Sequence, residues 1–160
     1  MAETIQFSLS GMPALLTGLR RMSERLEKKT LKHAVKAAAD PIAATMKSNL
    51  SAQGVGRTFA LQKSIGVVTR SYQGGQIAVA VVGVRRGFGT TYRGRKHEPT
   101  RIAHLIEGGH EAGGWSREMG GQRVAARPFA RPAMDQHRAG AQAIFAATIR
   151  SELQQAGRSS

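Results

Sequence analysis

At 160 residues the chain is long enough for one compact domain with a core of its own and short for two. Lys and Arg number 24 against 10 acidic residues, a net charge of +14 with an isoelectric point near 11.5, so composition points first to a polyanionic partner. The absence of cysteine excludes a disulfide framework and a thiolate metal centre. No apolar run approaches the roughly 20 residues of a membrane span, and Met1-Ala2-Glu3-Thr4-Ile5 lacks the basic start and apolar core of a signal peptide. The expectation is a soluble chain made in the cytosol, with no membrane partner.

Ile5, Phe7 and Leu9 alternate with Gln6 and Ser8, the period of a short half-buried strand, and Gly11 ends it. After Pro13 the period changes. Leu15, Leu19, Met22 and Leu26 fall on one helical face, while Arg20, Arg21, Arg25, Lys28 and Lys29 point elsewhere. Leu31, Val35, Ala38, Ile42, Met46 and Leu50 continue the stripe through an alanine-rich segment that contains Pro41. Either the helix kinks there, or one helix ends and another begins with Asp40 as its N-cap.

Leu61 to Arg70 and Gln76 to Val84 are rich in Val and Ile, and Ser71-Tyr72-Gln73-Gly74-Gly75 supplies turn chemistry between them, so a β-hairpin is predicted. Ile77, Val79 and Val81 alternate with alanine and valine, which predicts a second strand covered on both faces. From Gly54 to Arg101 nine basic residues stand against the single Glu98, a local balance of +8. The most basic part, 85–101, is rich in glycine and lacks apolar periodicity. It reads as a long loop or an extended hairpin tip, either a solvated surface or one facing nucleic acid through Arg85, Arg86, Arg93, Arg95, Lys96 and Arg101. Phe88 and Tyr92 offer stacking among them. Contacts of this kind reach phosphates and carry no base code.

Ile102 to Ile106 is short enough for one helical turn or a strand, and Glu107-Gly108-Gly109 bends the chain; a glycine-rich loop with Trp115 follows. Then comes the doubled motif Ala126-Arg127-Pro128-Phe129-Ala130-Arg131-Pro132-Ala133. Each proline fixes its own φ, lacks an N–H and pushes the preceding arginine toward extended geometry, so Arg127, Pro128, Phe129, Arg131 and Pro132 form a stiff arm from which Pro132 starts a helix. Phe129 either anchors that arm on a neighbouring subunit or packs into its own core and orients the last helix. Ala141, Ile144, Phe145, Thr148, Ile149 and Leu153 give that helix its stripe. The expected fold class is α+β, a small antiparallel sheet packed against a long N-terminal helical segment and a C-terminal amphipathic helix. It forms one domain, 1–160, divided into strand and helices (3–53), hairpin (60–84), basic loop (85–101), bend and glycine-rich loop (102–125), arm (126–133) and last helix (133–156).

Enzymatic chemistry has little to stand on. His33, His97, His104, His110 and His137 match no metal-ligand spacing, and Glu107 and Glu111 near His104 and His110 lack a nucleophile or an oxyanion site. Gly87-Phe88-Gly89 is neither a dinucleotide fingerprint nor a phosphate loop. No catalytic residue, cofactor or metal is expected. A basic helix lying on an anionic membrane ranks below these, because Glu24 and Glu27 interrupt its charge.

Taken in order, the strand and leucine-stripe helix, the alanine-rich helix ending near Asn49-Leu50, Gly56-Arg57-Thr58, Leu61-Gln62-Lys63-Ser64-Ile65, Ile102-Ala103-His104-Leu105-Ile106-Glu107-Gly108-Gly109 and the Arg-Pro-Phe-Ala-Arg-Pro-Ala arm resemble one family. That family is the neck or minor-tail component of long-tailed bacteriophages and prophages, also called tail-completion or head-tail joining proteins. Gly109 stands where the family commonly has threonine, and the stretch before Leu61 is less regular in proline and glycine. The resemblance implies a non-enzymatic part of the virion, synthesised in the bacterial host cytoplasm. It implies a homo-oligomeric ring of six between head connector and tail tube, with head-closure and tail-terminator or tail-tube proteins as partners. The arm would reach a neighbouring subunit and the basic loop would line a lumen in non-specific contact with DNA. The alternative is a free, sequence-independent nucleic-acid-binding protein.

Overall fold

The computed structural model describes residues 24–54, 60–92, 94–112 and 122–158. Helix α1 (Glu24–Ala52) leads to a short helix α2 (Ala60–Ser64) and the hairpin β1 (Ile65–Tyr72) and β2 (Ile77–Val84). A second ribbon, β3 (Thr90–Tyr92) and β4 (Arg95–His97), precedes helix α3 (Pro99–Gly108). A third, β5 (His110–Ala112) and β6 (Gln122–Val124), precedes the long helix α4 (Ala130–Arg158). The three pairs are separate two-stranded sheets, so the class is α+β. The predicted strand at Ile5, Phe7 and Leu9 lies outside the described residues, as do most of the first leucine stripe and the loop around Trp115.

The chain forms two compact units, each gathered from several stretches. One takes residues 1–39, 68–81 and 137–160, the other 40–67 and 82–136. In the first, Ala34 and Ile149 are buried with Leu31, Phe145 and Leu153 around them, and His33 Nδ1 lies 2.8 Å from Glu152 Oε1. In the second, Ile42, Ala43, Met46 and Leu50 from α1 meet Leu61, Ile65, Phe129 and Ala133, with Val67, Val82, Val84, Ala103, Ile106 and Met134 packed around them. The base of the β1–β2 hairpin thus sits on an α1 face and on the start of α4, as the apolar patterns require.

Of the two forms the sequence allowed at Pro41, α1 takes the one that runs through as a single helix, and Asp40 lies inside it, not at the start of a new one. Its buried row, Thr30, Ala34, Ala38, Ile42, Met46 and Leu50, keeps a four-residue spacing across the proline, so packing holds a helix that local preference would break.

The first strand begins at Ile65, because Ala60 to Ser64 is helical. Ala60, Leu61 and Ser64 are the buried positions, a helical spacing that alternation would not give, and Ser64 Oγ donates to the Leu61 carbonyl at 2.6 Å.

The second strand is not covered on both faces. Val68 and Tyr72 of β1 and Ile77, Val79 and Val81 of β2 are each 37–50% exposed. The half-buried row of β2 is Ala78, Ala80 and Val82, so the bulkier residues of this stretch face outward.

Candidate functional site

The basic stretch is an ordered ribbon followed by a helix. β3 and β4 pair antiparallel, Thr90 opposite His97 and Thr91 opposite Lys96, with Gly94 in the tight turn at φ +73°. This corresponds to the extended hairpin of the two forms the sequence allowed. Arg85 is anchored at its backbone, where its N–H donates to the Ser64 carbonyl at 2.9 Å, and its guanidinium lies over the Phe88 ring at 4.9 Å from the centroid. Gly66 leaves room for that side chain: a Cβ there would fall 2.7 Å from Arg85 Nε. Arg86, Lys96 and Arg101 line one shallow depression together with Glu98 and Thr100. Of the six predicted basic residues, therefore, three converge and Arg85 stands apart on its aromatic neighbour. Arg93 and the side chain of Arg95 lie outside the described residues.

The bend and the arm, about twenty residues apart in sequence, form one clasp. α3 ends at Gly108, and the Glu107 carboxylate accepts the N–H groups of Phe129 (2.8 Å), Ala130 (2.9 Å) and Arg131 (3.0 Å). These are the donors that open α4 without partners of their own, and the fourth position is Pro132, which has none to offer. One remote carboxylate thus satisfies the whole N-terminus of a 29-residue helix. Two side chains of the α1 end reach the same place: Gln53 Nε2 donates to the Pro128 carbonyl at 2.8 Å, just before the helix, and Asn49 Nδ2 donates to the Phe129 carbonyl at 3.1 Å. Arg127 closes the clasp, its N–H donating to the Ile106 carbonyl at 2.8 Å and its guanidinium to the Gln53 carbonyl at 3.3 Å.

Gly109 allows the chain to pass at this point. Its φ is +71°, and a Cβ would lie 2.8 Å from both the Ala126 nitrogen and the Val124 carbonyl oxygen. Phe129 is 2% exposed within its own core, the second of its two sequence readings. The arm presents Arg127, Pro128, Arg131 and Pro132 outward. The helix begins at Ala130, two residues before the predicted Pro132.

The roles of Glu107, Asn49 and Gln53 were missed in the sequence, although a signal existed. Phe129 occupies the N-cap position, where a Ser, Thr, Asp or Asn would normally supply the acceptor. A helix start without one calls for an acceptor from elsewhere.

Among the described residues no group of three or more His, Asp or Glu is placed to hold a metal ion, and no helix is long and apolar enough to cross a membrane. The arrangement offers cation placement and a rigid clasp.

No curated protein and no solved structure matches the chain. A family model does, over residues 14–109, a span that includes α1, the β1–β2 hairpin, the basic ribbon and α3 and stops at Gly109, short of the arm. Its description is "Bacteriophage HK97-gp10, putative tail-component", and with more than half of its length matched the chain belongs to this family of phage tail components.

Proposed function

We propose that the chain is a structural, non-enzymatic protein of the phage neck, a ring of identical subunits, six in number, that joins the head connector to the tail tube and lets the genome pass. The family match over residues 14–109 carries this reading. The +14 charge and the Arg86, Lys96 and Arg101 cluster support a surface beside DNA that makes no base-specific contact. The partners are further copies of the chain, the head-closure or connector protein, and the tail-terminator or tail-tube protein. With Phe129 engaged in its own core, the exposed arginines of the arm are the part left to meet a neighbour.

Phage lacking this chain are expected to yield filled heads and free tails, rejoined when purified protein is added, with a closed ring at the junction in electron micrographs. Arg131→Glu, at an exposed position, is expected to leave the fold intact and abolish ring formation in light scattering. Normal joined particles without the protein would overturn the reading. The basic depression also favours a second reading, a free DNA-binding protein. A chain that binds duplex DNA tightly as a monomer yet is absent from purified virions would decide for it.

A further inference from the structure

The depression between the basic ribbon and α3 brings together three cations from three elements. Arg86 follows β2, Lys96 lies in β4 and Arg101 in the first turn of α3. All three are exposed, and none of their charged groups makes a hydrogen bond or ion pair among the described residues, whereas the nearby Arg85 guanidinium is placed over Phe88. Thr100 lines the same space. Among the described residues Glu98 is the one acid in the lining, its carboxylate lying beside Gly89, where a Cβ would meet Oε1 at 3.1 Å.

We infer that this depression is a binding site for the phosphodiester backbone of duplex DNA, with Arg86, Lys96 and Arg101 as the phosphate ligands, Thr100 as a neutral donor and Glu98 as a charge that limits the affinity. The chemistry matches. Guanidinium groups donate two parallel bonds to phosphate oxygens, and Lys adds a point charge. Glu98 repels the same phosphates, so binding stays weak and reversible, as suits a surface that DNA must move across. The inference rests on the neck reading only for where the protein meets DNA; the site itself is a property of the isolated chain.

The test uses the purified full-length chain and fluorescein-labelled duplexes of about 20 base pairs in two unrelated sequences, with affinity measured by anisotropy across a salt series. Both duplexes are expected to bind alike. The triple variant Arg86→Gln, Lys96→Gln, Arg101→Gln should bind at least about tenfold more weakly at 0.1 M salt and lower the log–log salt slope by about two to three, since each phosphate contact contributes about 0.9. Glu98→Gln should tighten binding several-fold.

The control removes the same charge elsewhere, at the exposed Lys29, Lys32 and Arg150, each to Gln. It should change affinity much less and leave the slope within about one unit. Equal losses in the two triple variants would overturn the site and leave only bulk charge. So would a Glu98→Gln variant that binds no better, or a preference between the two sequences. Joining of heads and tails is measured separately, so the site and the neck reading can fail independently.

Discussion

Glu107 replaces the N-cap that α4 lacks. Three backbone donors share its carboxylate, and hydrogen bonds to a charged group contribute about 1.5–3 kcal/mol each when intact, less when they share an acceptor. Glu107→Gln keeps the shape, removes the charge and turns one acceptor into a donor that faces other donors. It is expected to destabilise the protein by about 2 kcal/mol in urea titration, while Asp135→Asn, exposed on the same helix, should stay within about 0.5 kcal/mol. Equal effects of the two would show that the clasp is not holding the helix start. Phe129→Ala should exceed both, at about 3–5 kcal/mol, since it empties a fully enclosed position. Gly109→Ala tests the passage beside it. The added methyl meets backbone atoms of residues 124 and 126, which cannot rotate away, and the left-handed φ disfavours alanine as well. A loss of more than about 1 kcal/mol is expected, and a neutral result would mean that the bend can relax.

At the scale of elements, the β1–β2 hairpin and α1 separate what packs from what shows. Val79 and Val81 face outward on β2, and Leu50 is 1% exposed at the end of α1. Val79→Thr should therefore leave the unfolding midpoint nearly unchanged, within about 0.5 kcal/mol, whereas Leu50→Ala should cost about 2–5 kcal/mol. A large loss at Val79 would show that this outer row is buried in solution. The same elements show where sequence reasoning succeeds. The apolar row from Leu31 to Leu50 repeats at helical spacing over five turns, and no strand could bury it, so α1 was legible to its end. The hairpin was legible because β-branched residues flank a Gln-Gly-Gly turn. Helix α2 was not, since a five-residue helix and the start of a strand share the same apolar residues, and only the burial of Ser64 separates them. The covering of β2 was misjudged for a related reason: valine on both faces fits a buried strand and a ribbon with one open face equally well. The clasp lay out of reach of local pattern because its halves, Glu107 and Phe129, meet only through the tertiary fold. The bend and the arm were each visible, but nothing in either names the other. Among the basic residues the sequence identified the cluster but not its grouping, because which cations converge depends on the β3–β4 pairing.

For the molecule as a whole the governing quantity is its charge imbalance. With 24 cations and 10 acidic groups, most cations have no acid to pair with, whatever the fold. Among the described residues Glu107 is engaged in the clasp and Glu152 with His33. Repulsion among the remaining cations raises the free energy of the compact state more than that of the expanded chain, where the charges are farther apart. Salt screens exposed charges over about 10 Å at 0.1 M and acts much less on partly buried contacts such as the clasp. Raising sodium chloride from about 20 mM to about 300 mM should therefore raise the thermal midpoint, as screening relieves repulsion while leaving the clasp in place. The effect should shrink in a variant with Arg86, Lys96 and Arg101 neutralised, because those three charges share one depression. A midpoint that falls with salt would mean that attractive pairs outweigh repulsion, and net charge would then not be the quantity that governs the stability of the molecule.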